Sequence, residues 1–427
     1  MTAPADRAHI RRYRGWQIKI LIATWLAYVG YYFCRKAFYV VKDPLGATLG
    51  LGASDLAHLG TGYLVGYALG QFSSAYFGRK LGPKLLLLVG MGISSGCNAM
   101  FGLQNGFWTL LLFMIVNGMA QGTGWPGCIG SLGYWFKRQT RGSVLGVWST
   151  CYQVGSLAAT AFAAFMLGQL GWRWSFFGAA LVLLVIWAVV LLLHPNTPED
   201  VGLESAERPP PEADAAATGA GRQPLGWSRQ VVTTVLLMGA IYFCIKFLRY
   251  ALWSWTPYFL SRNYGLHSDD AGYLSVVFDL AGFAGVLVAG FITDRLLRGR
   301  RALFSLIMLG LMALSFGAMY LWGTASVTAF AVSLGFCGFM LYGPDSLLSG
   351  VGAIDVGSVR GALAAAGIIN GMGSVGPIFQ EQIIGWMYEA SGGQLLPILF
   401  LFVGVAVVGV GLMAMLYIRA RRGSSNL

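Results

Sequence analysis

The sequence predicts an all-α membrane protein of twelve transmembrane helices arranged in two six-helix halves. The first observation is composition: the 427 residues are 56% hydrophobic and only 11% charged, with a mean hydropathy of +0.64. A soluble domain carries about 25% charged residues. The second is a rhythm of apolar runs, each of roughly 20 residues and long enough to cross ~30 Å of hydrocarbon. The third is the placement of the basic residues, which alternates with those runs.

Six runs, centred near Tyr28, Tyr67, Gly92, Gly118, Gly155 and Leu184, make up a first half over residues 1–194. The N-terminus is basic, but the run that follows is too long for a signal peptide and lacks a small-residue cleavage site. Residues 195–229 then turn polar and rich in Pro, Ala, Glu and Gly, with Pro209-Pro210-Pro211 at their centre, which reads as a solvated cytoplasmic linker. Six further runs, near Tyr242, Asp279, Met308, Phe336, Gly371 and Val405, form the second half over residues 230–427. Glycines at Gly62/Gly66/Gly70, Gly118/Gly122 and Gly282/Gly285/Gly290 are spaced for close helix approach.

With twelve crossings and a cytoplasmic N-terminus, 22 of the 29 Lys and Arg fall on the cytoplasmic side. Only Lys42, Arg173 and Arg262 fall outside, and Arg35, Lys36, Lys246 and Arg249 lie within helices. That positive-inside asymmetry places both termini in the cytoplasm. It also accounts for the net charge of +12 without nucleic acid as a partner. The six cysteines all fall in helices without a CxxC pair and read as buried apolar residues. No nucleophile–base set, metal cluster or nucleotide loop is visible, so neither an enzyme nor a cofactor is expected.

The chemistry-bearing residues are the intramembrane cations. A guanidinium at mid-bilayer costs roughly 2.5–3.5 kcal/mol on the lenient insertion scale. Arg35 and Arg249 lie 214 residues apart, about half the chain. Arg79 and Arg295, in FGRKLGPK and TDRLLRGRR, repeat nearly the same offset. Duplicated halves that each bring one cation to the same depth point to an anion held on a central axis. Tyr28, Tyr32, Arg35 and Tyr39 share one face of the first helix, with Lys36 about 100° away. Lys246, Arg249 and Trp253 share a face of the seventh. Asp279 and Asp345 are the available acids, and Glu381 is placed near the interface and left out. Two acids against four cations leave a surplus of +2, the size of a phosphate monoester's charge.

YYFCRKAF (Tyr31–Phe38), NGMAQGTGWPGC (Asn117–Cys128), YWFKRQTRG (Tyr134–Gly142), TPEDVGL (Thr197–Leu203) and LYGP (Leu341–Pro344) together resemble the organophosphate:phosphate antiporters of the major facilitator superfamily. SVVFDLAGFAG (Ser275–Gly285) is most similar to the animal endoplasmic-reticulum exchangers of that family. The resemblance runs from about Trp16 to the last helix. It implies that Arg35 and Arg249 clamp a phosphate group, with Tyr28, Tyr32, Tyr67, Trp125 and Tyr342 lining the same cavity. It implies, too, that Lys36 pairs with acids on helices seven and eight, Asp279 being the helix-eight one. The chain departs from the glycerol-phosphate exchangers at Ser254 (an aspartate there), Gln71 (a lysine) and Tyr152 (a histidine), and carries Lys246 and Asp345 at positions uncharged there.

The expectation is a monomeric exchanger in the bacterial inner membrane. It would trade a sugar phosphate, hexose phosphate favoured, for inorganic phosphate by rocker-switch alternating access, with membrane lipid as its other partner. Two alternatives stay open: a sugar-phosphate sensor of the same build, and a proton-coupled organic-anion carrier using Asp345 or Asp279.

Overall fold

The computed structural model describes residues 4–204, 228–295, 301–347 and 353–421. The centre of the polar linker, 205–227, and the side chains of Arg79 and Arg295 lie outside the described residues. All regular structure among the described residues is helical: α1 Pro4–Val40, α2 Lys42–Leu49, α3 Ala53–Leu103, α4 Phe107–Gln121, α5 Gly124–Trp135, α6 Arg138–Trp148, α7 Thr150–Leu170, α8 Trp172–Leu193, α9 Arg229–Tyr264, α10 Ser268–Arg295, α11 Arg301–Trp322, α12 Val327–Leu347, α13 Ala353–Ala390 and α14 Leu396–Arg421. The long α3 is two helices, broken where Gly82 takes a φ of 73° ahead of Pro83, a left-handed turn that glycine enters without a Cβ clash. Among the described residues eight helical stretches are long and apolar enough to cross a membrane. Their order is consistent with twelve crossings. Of those that fall short, α4 and α5 do so by length, at 15 and 12 residues.

The chain divides into two compact units. One comprises residues 1–41 and 62–220, the other 42–61 and 221–427. In the first unit α1 packs on α7, α8 and α5. The α3–α4 contact is made of glycine. A Cβ at Gly66 or Gly70 would overlap the backbone carbonyl of Ile115 or Met119, and one at Gly118 would overlap that of Tyr63. These glycines lie at the spacing expected for close approach. TPEDVGL folds into a one-turn helix at Pro198–Val201, closed by a capping box between Thr197 and Asp200. Arg12 Nη2 donates to the Val201 carbonyl at 2.6 Å, fastening the start of α1 to this turn.

In the second unit α9 packs on α13 and α14, α10 on α12, and α11 on α12 and α14. The α10–α12 contact repeats the glycine device: a Cβ at Gly285 would overlap the Phe339 carbonyl, and one at Gly338 would come within 2.5 Å of the Phe278 carbonyl oxygen. The second and fourth helices of each half are thus drawn together in the same way, at equivalent places in the sequence.

His194 closes α8 just beyond its membrane-spanning stretch, fully buried. Its Nε2 lies 2.8 Å from Ser131 Oγ on α5. Burial pushes the imidazole down from 6.5 to about 4. Between those values the unfolded chain binds a proton that the folded chain refuses, so this contribution is full above pH 6.5 and is lost as pH falls towards 4. At pH 5 the loss is about 2 kcal/mol. The detergent-solubilised protein is expected to melt at a lower temperature at pH 5 than at pH 7.5, and His194→Asn to flatten that dependence. An unchanged slope in the variant would assign the acid sensitivity elsewhere.

Candidate functional site: two intramembrane arginines

Arg35 lies in the last turns of α1 and is 8% exposed. Its Nε donates to Gln121 Oε1 at 3.1 Å, and its guanidinium carbon lies 5.0 Å from the ring centres of Tyr32 and Tyr67 and 5.9 Å from that of Tyr63. Gln121 is itself locked in place. It accepts from the Tyr63 hydroxyl at 2.7 Å and donates to Asn117 Oδ1 and Ser94 Oγ, each at 3.3 Å. Asn117 Nδ2 in turn donates to the Cys34 carbonyl at 3.2 Å. Every member of this network is neutral. Among the described residues no carboxylate reaches Arg35, and its two terminal amino groups meet no protein acceptor. Three aromatic faces stabilise the cation while four N–H donors are left in a fork suited to an oxyanion.

The other first-unit residues singled out by sequence form an aromatic string beside it. Tyr28 packs edge-on against Tyr32 and Tyr152, with ring centres 6.0 and 5.1 Å apart. Trp125 Nε1 donates to the Tyr152 hydroxyl at 2.8 Å. Gln71, one turn beyond Tyr67, is exposed and makes no side-chain hydrogen bond among the described residues. Lys36 is buried at 3% exposure.

Arg249, on α9, has a different environment. Its Nη1 is 2.7 Å from Asp345 Oδ2 on α12, and its guanidinium carbon is 4.3 Å from the Tyr342 ring centre. The Tyr342 hydroxyl donates to Asp279 Oδ1 on α10 at 2.8 Å. Arg249, Tyr342, Asp345 and Asp279, all expected from sequence, therefore stand together in the second unit. Lys246, one turn before Arg249, turns to α13 instead: Nζ donates to Asn370 Oδ1 at 2.8 Å and to Ser374 Oγ at 3.3 Å.

Sequence reasoning placed Lys42 outside and Glu381 near the interface and left both out of the charge balance; the structure shows them buried and paired. Within the second unit Lys42 Nζ lies 2.9 Å from Glu381 Oε2 and 3.8 Å from the centre of the Trp255 ring. The two side chains are 0% and 1% exposed. Ser254 accepts from Lys42 at 2.9 Å and donates to Glu381, so the serine standing where the resembled exchangers carry an aspartate serves this pair. Gly60 makes room for the carboxylate, since a Cβ there would come 3.1 Å from Glu381 Cδ. Sequence reasoning also missed Tyr63, Gln121 and Asn117. The only available signal was that Asn117 and Gln121 fall at i and i+4 in NGMAQG, on one helix face.

The fold is that of a multi-pass helical membrane protein, and sequence comparison gives the family. Residues 24–349 match the profile of the Major Facilitator Superfamily, and the chain belongs to it. It is 26% identical over 401 residues to a "Probable hexose phosphate transport protein" of Chlamydia pneumoniae, covering 90% of this chain and 87% of that one. It is also 28% identical over 371 residues to the "Membrane sensor protein UhpC" of Salmonella typhimurium, covering 84% and 82%. These matches agree with the organophosphate:phosphate antiporter motifs in the sequence. Among solved structures, a bacterial homologue of the human lysosomal transporter Spinster aligns with a TM-score of 0.69 at 18% identity, over 95% of this chain and 97% of that one. A D-xylose–proton symporter aligns at 0.70 and 14% identity, over 93% and 97%. At these identities the structural likeness speaks for the fold alone.

Removing one partner of a buried ion pair leaves the other charge uncompensated, at a cost of about 3–5 kcal/mol. Glu381→Gln is therefore expected to lower the melting temperature markedly, and the Lys42→Met/Glu381→Gln double variant to regain most of the loss. A double variant as unstable as the sum of its parts would show that packing, not charge, is at stake.

Proposed function

We propose that this chain exchanges a sugar phosphate, hexose phosphate favoured, for inorganic phosphate across the bacterial inner membrane. In this reading two six-helix halves, residues 1–194 and 230–427, alternate access by a rocker-switch motion. Arg35 and Arg249 contact the phosphate, the tyrosines and Trp125 line its path, and Lys36 and Asp279 act as gate charges. The observation that carries the reading is Arg35: a buried guanidinium, held rigid by neutral partners, with a donor fork and, among the described residues, no carboxylate. An unloaded carrier must keep that charge uncompensated throughout its cycle. A bound phosphate supplies the missing anion, so reorientation is favoured for the loaded carrier, and exchange follows. The similarity to a protein named for hexose phosphate supports the substrate class.

A second reading draws on Asp345. Its carboxylate already occupies Arg249, so an incoming phosphate competes with it, and protonation of Asp345 would free the arginine. That is the form a proton-coupled carrier would take.

In liposomes loaded with phosphate, labelled phosphate uptake is expected to need internal phosphate and to be blocked by glucose 6-phosphate. Arg35→Lys is expected to lose about tenfold or more of that exchange, because an ammonium offers no fork. Near-normal exchange would sink the role of Arg35. Asp345→Asn is expected to lower the KM for phosphate several-fold by releasing Arg249. If an inward proton gradient drives uptake without internal phosphate, and Asp345→Asn abolishes that drive, the second reading replaces the first. Intact binding with no uptake at all would make the protein a sensor.

A further inference from the structure

Lys246 is the intramembrane cation for which the phosphate clamp has no use. The α9 helix that carries Arg249 towards Asp345 carries Lys246 to the α13 face one turn earlier, where two neutral side chains receive it. The Lys246 ammonium also lies 4.9 Å from the centre of the Tyr242 ring, one turn back on α9. Asn370 and Ser374 are exposed, one turn apart on α13. The Ser374 hydroxyl donates to the Asn370 backbone carbonyl at 2.8 Å, so its oxygen faces the ammonium as an acceptor. Asn370 accepts through Oδ1, which leaves its Nδ2 hydrogens directed away from the ammonium as donors.

We infer that Lys246, Asn370 and Ser374 form the subsite that selects the organic part of the substrate, and that they take a hydroxyl-bearing chain or ring. The inference rests on the phosphorylated-sugar reading of the arginine site. A second anionic group would call for donors alone, as Arg35 presents. This cluster instead offers donors from Lys246 and Asn370 beside acceptors on Asn370 and Ser374. Such mixed capacity matches hydroxyl groups, each of which both donates and accepts. Lys246 orients the two neutral groups, while they fix its ammonium over Tyr242. A site built to hydrogen-bond hydroxyls discriminates strongly against a ligand that lacks them, because its own polar groups are then left unpaired. On α13 the two residues look like ordinary small polar members of a glycine-rich helix, and only the contact with Lys246 gives them a role.

The test is equilibrium binding to the purified full-length protein, with glucose 6-phosphate, 3-phosphoglycerate and inorganic phosphate as probes. Wild type is expected to bind glucose 6-phosphate more tightly than either other probe. Asn370→Ala and Ser374→Ala are each expected to raise the ratio of its Kd to that of phosphate about tenfold. A ratio that stays within about twofold while both Kd values move together would make the cluster mere fastening between α9 and α13, and would overturn the inference. So would a wild-type preference for phosphoglycerate that the Lys246→Gln variant removes, since the subsite would then serve a second anion. If the ratio shifts as expected but liposomes show no phosphate exchange, the subsite stands and the exchanger reading falls.

Discussion

Both arginine sites depend on helices that touch backbone to backbone. In the first unit the glycines of α3 and α4 remove the side chains that would hold these helices apart. Tyr63 and Tyr67 on one helix and Gln121 on the other can then meet around a single guanidinium. In the second unit Gly285 and Gly338 bring α10 to α12, and that approach lets the Tyr342 hydroxyl reach Asp279 beneath Arg249. In hydrocarbon no water can repair a polar group that misses its partner. Close helix approach is therefore a condition for keeping these charges at all, and glycine is the residue that permits it.

The two sites share a plan and differ in charge. Each arginine comes from the first helix of its half and is met by residues of the second and fourth. In the first unit those partners are tyrosines and carboxamides; in the second they include a carboxylate. One site thus keeps a full positive charge and the other is close to balanced. In the proposed function, a bound anion would gain the whole of its attraction from Arg35, and at Arg249 only what remains after displacing Asp345. The two sites match in position along the chain without matching in electrostatics.

Much of this was legible in the chain. A charged residue inside an apolar run is a local signal, so Arg35, Lys246, Arg249, Asp279 and Asp345 could be singled out one at a time. Glycine spacing likewise announced close helix approach on α3, α4 and α10, without saying which helices would meet. Relations between distant residues were not legible. Lys42 and Glu381 are 339 positions apart, and neither residue's surroundings in sequence hint at the other. Lys42 follows the first span where an external loop is expected, and Glu381 sits towards the end of a helix, so each read as a solvated charge. Gln121 lay in plain view within a recognised motif. Its part in holding Arg35 needed the geometry, because a glutamine in an apolar helix has many uses.

All six cysteines are buried and unpaired. Two of them adjoin functional side chains, Cys34 next to Arg35 and Cys151 next to Tyr152. A thiol reacts only where a reagent can reach it, and burial bars that approach. The native protein is therefore expected to react little with membrane-impermeant maleimides. Single cysteines placed along the α1, α9 or α13 faces can be labelled against that background without first stripping the natural ones. The carrier comes supplied with its own blank for mapping which faces meet water as it works.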